Sequence, residues 1–93
     1  MSAQAEPSAQ SVVSFAVVAE AEPGTLERLF TVLARGFPTP RRFSSVHHAR
    51  KGRLAVNLEM DLPADRTELL AARLRRLVGV EKVFVATAEA RSA

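Results

Sequence analysis

Glu20-Ala21-Glu22-Pro23-Gly24-Thr25-Leu26-Glu27-Arg28-Leu29-Phe30-Thr31-Val32-Leu33-Ala34-Arg35-Gly36-Phe37 lies between a strand-like apolar run, Val12 to Val18, and a proline-rich segment. Pro23-Gly24 predicts a tight turn, because proline fixes φ and glycine tolerates conformations closed to other residues. Leu26, Leu29, Phe30 and Leu33 then recur at the i, i+3, i+4, i+7 spacing of one helix face. Gly36 is placed to end that helix in the left-handed region. The first turn of such a helix offers backbone N–H groups of Gly24, Thr25 and Leu26 to an anion or carboxylate.

Upstream, Val13, Phe15 and Val17 alternate with Val12, Ser14 and Ala16, a half-buried strand. Downstream, Pro38 and Pro40 exclude helix and point to a loop or the start of an edge strand. A weakly patterned strand is expected over residues 42–49, followed by a hairpin turn at Arg50-Lys51-Gly52. The cleanest alternation comes next. Leu54, Val56, Leu58, Met60 and Leu62 face one way, and Arg53, Ala55, Asn57, Glu59 and Asp61 the other. Such a strand belongs to an antiparallel-type sheet covered on one face. Asp65 and Glu68 have the spacing of a capping box for a second helix. In that helix Leu70, Leu74 and Leu77 form the buried stripe, and Arg66, Arg73 and Arg76 face outward. Gly79 ends it, and Val80 to Ala86 give a fourth strand. The order is β-α-β-β-α-β, an α+β ferredoxin-like sandwich: a four-stranded antiparallel sheet with two helices on one face.

A chain of 93 residues holds one domain. It buries only about 60–65% of its unfolded surface, so association is an easy supplement to stability. Residues 1–11 read as a disordered arm, residues 12–88 as the domain and residues 89–93 as a frayed tail. The absence of Cys excludes thiolate chemistry. The arm has neither the basic nor the apolar region of a secretory leader. No apolar run nears the roughly 20 residues of a membrane span. A cytoplasmic location is expected. Net charge is +3, yet residues 41–53 alone carry five basic residues, two His and no acid. Such a block suits a charged edge strand or a protein contact.

Neither catalysis nor nucleic-acid binding is expected. His47 and His48, the only histidines, are strand neighbours pointing to opposite faces, so no metal site forms from them. No environment is visible that would tune a general acid or base, and no cofactor is implied. An RNA-recognition module shares this element order and needs aromatic residues on its third strand. Aligning Lys51-Gly52 with the opening of that motif places Arg53, Ala55 and Leu58 where the aromatics belong. A ligand-free oligomerisation module also accommodates the pattern.

The segments Pro23-Gly24-Thr25-Leu26-Glu27-Arg28, Gly36-Phe37 and Leu77-Val78-Gly79-Val80-Glu81-Lys82-Val83, in this order and spacing, resemble ACT domains. The resemblance is nearest to the short single-domain regulatory small subunits of acetolactate synthase. It implies a non-catalytic, activating subunit in branched-chain amino-acid biosynthesis. That subunit would bind the thiamine-diphosphate-dependent large subunit and form a homodimer by sheet-edge pairing. A stand-alone ACT-type amino-acid sensor is the alternative. By the same resemblance, a branched-chain amino-acid effector would be lined by Ala21, Glu22, Pro23, Gly24, Thr25 and Leu26. Members that bind an effector typically carry Asn where this chain has Ala21. Glu22 adds a negative charge near the effector carboxylate, and at about 5–6 Å with an effective dielectric of about 20 that repulsion reaches about 3 kcal/mol. Effector binding is therefore expected to be weak or lost. The partner surface is expected along the second strand, at Arg41, Arg42, Phe43, His47, His48 and Arg50.

Overall fold

A computed structural model describes residues 11–88. Of the expected arm at 1–11, residues 1–10 lie outside the described residues, as does the tail at 89–93, while Ser11 belongs to the first strand, paired with Leu62. The elements are β1 (Ser11–Glu20), α1 (Pro23–Ala34), β2 (Arg42–His48), β3 (Arg53–Leu62), α2 (Ala64–Arg75) and β4 (Val80–Ala88). A single 3₁₀ turn, Ala49–Lys51, joins β2 to β3. The sheet order is β2-β3-β1-β4 with every neighbouring pair antiparallel, which is the ferredoxin-like arrangement.

The period-2 alternation sets the core. Val13, Phe15 and Val17 of β1 and the five apolar residues from Leu54 to Leu62 of β3 are all buried. Leu29 and Leu33 of α1, with Leu70, Ala71 and Leu74 of α2, close over that face in one cluster. Burying a side chain of this size stabilises the fold by about 1.5–3 kcal/mol each. Among the described residues, the opposite face of the sheet carries no helix.

Several local expectations are corrected. Pro23-Gly24 is not a separate turn: Pro23 opens the helix and Gly24 lies inside it, with Glu22 at the N-cap. Proline suits that place because the N–H it lacks would have no intrahelical partner there. The face that packs on the sheet is turned by about one residue from the expected stripe. Thr25 becomes fully buried, while Phe30, expected in the core, is 49% exposed. Phe30 lies instead at the sheet margin against Phe43 of β2, ring centroids 5.0 Å apart. The capping box at Asp65 and Glu68 does not form. Pro63 is the N-cap, without a side-chain cap, and the Thr67 hydroxyl donates to the Pro63 carbonyl at 3.0 Å. Gly36 (φ 95°) takes the left-handed conformation anticipated after α1. β1 and β4 each run to two residues beyond the expected strand, because antiparallel pairing continues to Glu20 on one side and Ala88 on the other.

Candidate functional site

The corner between β1 and α1 is built from three turns. The Glu20 N–H donates to the Gly79 carbonyl at 2.8 Å, and the Ala21 N–H donates to the Gly52 carbonyl at 3.0 Å. The hairpin turn and the α2–β4 turn, both glycine at positive φ, thus hold the residues that enter α1. Thr25 sits at the centre. Its hydroxyl donates to the Glu20 carbonyl at 2.8 Å, and its N–H donates to the Glu22 carbonyl at 3.1 Å. Burial makes those bonds matter, since a buried polar group without a partner costs about 1–3 kcal/mol.

Arg28, one turn further along α1, folds back over the helix start. Its guanidinium lies 3.1 Å from where a Cβ on Gly24 would stand, so glycine leaves the space that arginine fills. Its Nη1 donates to the Val78 carbonyl at 3.2 Å, and its Nη2 stands 3.8 Å from the Glu22 carboxylate. Of the six residues expected to line an effector, Thr25 is buried, Ala21, Gly24 and Leu26 are half-buried, and Glu22 and Pro23 are exposed. The Glu22 charge has a cation beside it, which weakens the repulsion expected from the sequence. Glu20, just before this corner, holds its proton above the ordinary carboxyl range. The leading cause is a hydrogen bond shared with the Glu22 side chain, followed by the charge of Glu22, slight desolvation and the charge of Glu81, against the opposing pull of Arg53.

The residues expected at a partner surface gather on and beside one edge of the sheet. Every residue of β2 is exposed, and β2 pairs only with β3. Its outer backbone groups face no other strand among the described residues. Arg41 reaches Asp61 at 3.5 Å, and Arg42 lies 3.8 Å from Glu59. His47 is registered with Leu54 on the helix side of the sheet, and His48 with Arg53 on the open side. The two imidazoles therefore diverge. Arg50 belongs to the 3₁₀ turn that follows. Among the described residues, no group of three or more His, Cys, Asp or Glu is placed to hold a metal ion. No helix among them is long and apolar enough to cross a membrane.

The sequence reading missed two features at this end of the molecule. One is the closing of the α1 N-terminus by Arg28. The other is the meeting of arginines from α1 and α2 across the groove between the helices. The i, i+7 spacing of Arg28 and Arg35 and the i, i+3 spacing of Arg73 and Arg76 were the available signals.

Comparison with known proteins agrees with this architecture. The ACT domain of GTP pyrophosphokinase from Chlorobium tepidum superposes with a TM-score of 0.72 at 20% identity, over 83% of this chain and 99% of that one. An uncharacterized protein of Thermotoga maritima gives 0.73 at 13% identity, over 84% and 96%. The C-terminal domain of the MgtC protein from Mycobacterium tuberculosis gives 0.67 at 14% identity, over 96% and 99%. At these identities the likeness is one of fold. A search of curated proteins gave no match. A family model described as an ACT-like domain matches residues 5–92, spanning all four strands and both helices. With the sheet order and the corner motif already in agreement, this match makes the chain a member of the ACT-like domain family.

Proposed function

We propose that this chain is a non-catalytic regulatory module that acts by binding another protein rather than by sensing an amino acid. The supporting observation is the contrast between the β1–α1 corner and the β2 edge. At the corner, the Thr25 N–H and hydroxyl are both bonded within the chain, and Arg28 covers Gly24. Along β2, one side of the backbone ladder is unpaired among the described residues. An open edge takes an added strand through main-chain hydrogen bonds, with neighbouring side chains giving specificity. Phe43, Arg41, Arg42, His47, His48 and Arg50 would supply those contacts, to a second copy of the chain or to a larger partner.

At the finer level, the motifs around Pro23-Gly24 and Leu77–Val83 favour the activating small subunit of acetolactate synthase in branched-chain amino-acid biosynthesis. Binding would bias the catalytic large subunit toward its active arrangement, a coupling of about 1–3 kcal/mol or about 5–150-fold in equilibrium terms. The chain would have no turnover alone. Mixing it with a purified acetolactate synthase large subunit tests this reading directly. A co-eluting complex and a raised rate are expected, and neither complex nor rate change would overturn it. Calorimetry with valine, leucine and isoleucine should give weak or no binding. Tight binding of one of them would favour the alternative, a stand-alone ACT-type sensor.

A further inference from the structure

The arginines that face outward from the two helices converge. Arg28 of α1 and Arg35, its C-cap, stand two turns apart, and Arg73 of α2 and Arg76, its C-cap, one turn apart. Packing of α1 beside α2 brings both pairs to a groove of about 830 Å³, with Val32 and Leu77 among its apolar lining. The lining carries four guanidiniums against one carboxylate, Glu27, a net of three positive charges that equals the charge of the whole chain. Arg28 is partly satisfied by Glu22. Among the described residues, Arg35, Arg73 and Arg76 make no ion pair, and Arg73 has only a cation–π contact with Phe37, at 5.7 Å. Like charges held together without counter-charge repel in the free protein, so an anion that fits gains more here than over scattered arginines.

We infer that this groove binds an anionic ligand carrying two or more linked phosphates. Three features point to that chemistry. Guanidinium is the side chain whose planar fork matches phosphate oxygens two at a time. The spacing of Arg28 and Arg35, about 10 Å along the helix axis, exceeds one phosphate and suits a chain of them. The volume lies within the roughly 300–1,000 Å³ of small-ligand sites. Inorganic polyphosphates and nucleoside polyphosphates share this chemistry. Val32 and Leu77 give a base an apolar surface if the ligand is a nucleotide. The site lies on the helical side of the molecule, away from the open strand of β2, so ligand and protein partner would not compete for the same surface.

The experiment is calorimetric titration of the full chain with inorganic tripolyphosphate, ATP, adenosine and poly-glutamate. Tripolyphosphate should bind with an affinity that falls as salt rises. Arg35→Gln with Arg76→Gln should weaken it by about tenfold or more, the scale of losing charge-assisted hydrogen bonds. Both residues are exposed and make no side-chain hydrogen bond or ion pair within the described chain, so the fold should survive. Arg50→Gln with Lys51→Gln removes the same charge from the β2–β3 turn, whose residues do not line the groove, and should change affinity by less than about twofold. ATP binding more tightly than tripolyphosphate, with adenosine silent, would assign a nucleotide; equal affinities would assign the phosphate chain alone. Absence of binding at low salt, equal losses in the two double variants, or poly-glutamate binding as well as tripolyphosphate would overturn the proposal.

Discussion

Two basic surfaces occupy this small domain, and they differ in what their charges are doing. Around β2 and the turn that follows it, the arginines are conspicuous in the sequence because no acid separates them. In the fold, Arg41 and Arg42 find Asp61 and Glu59 on β3, and Arg53 reaches Glu81 of β4 across β1. Between the helices the arginines are scattered through the sequence, and the fold assembles them with few counter-charges. Charge density along a chain is therefore a poor guide to free charge on a surface. Sheet formation brings residues far apart in sequence together, and here it offsets three of the five charges of the obvious block while helix packing concentrates a hidden one.

The largest expected effect falls on the corner that sets Arg28 at one end of the groove. Thr25→Val keeps the shape but leaves the Glu20 carbonyl without its hydroxyl donor, and should cost about 1–3 kcal/mol. Thermal or denaturant unfolding reads this, and an unchanged midpoint would show that the corner is held by backbone bonds alone. Next comes the margin of the β2 surface. A double-mutant cycle on Phe30→Ala and Phe43→Ala should return a coupling of about 0.5–1.5 kcal/mol, because the rings stack across the sheet margin. A coupling near zero would leave Phe43 wholly free for a partner.

Smaller still is the worth of the neutralised arginines. Arg53 and Glu81 meet at 2.9 Å but both stay partly open to solvent, so a cycle on Arg53→Gln and Glu81→Gln should give under about 1 kcal/mol, shrinking in salt. A larger, salt-insensitive value would make that pair structural rather than a simple neutralisation. The smallest effect is a pH dependence. The raised Glu20 carboxyl favours the folded state when protonated, so its contribution is full below the ordinary value of 4.5 and is lost as pH rises through the raised value. The midpoint of Glu20→Gln relative to the unsubstituted chain should therefore climb as pH is raised from 4.5, and a falling difference would contradict the assigned cause.

Residue by residue, the β3 alternation and the Val13-Phe15-Val17 run were legible because a period of two has only one way to bury its apolar side. The Leu26-Leu29-Phe30-Leu33 stripe was less so. Helical period allows the buried face to rotate by one residue, and packing on the sheet turned Thr25 in and Phe30 out. The Asp65 and Glu68 signal failed because the helix begins at Ala64 with Pro63 as N-cap, which puts Asp65 inside the first turn instead of at the cap. At the candidate site, Gly24 was visible as a residue that leaves room, but not what fills the room. Only the approach of Arg28 to the Val78 carbonyl, fifty positions away, answers that.

The sequence by itself determined the element order, the edge position of β2, the glycine after α1 and the covered face of the sheet. These follow from local periodicity and from backbone rules that need no distant partner. The tertiary structure alone decided which arginines are paired, what closes the helix start and where uncompensated charge collects. Those are properties of side chains brought together from separate elements, and their energies depend on distances that no linear spacing contains.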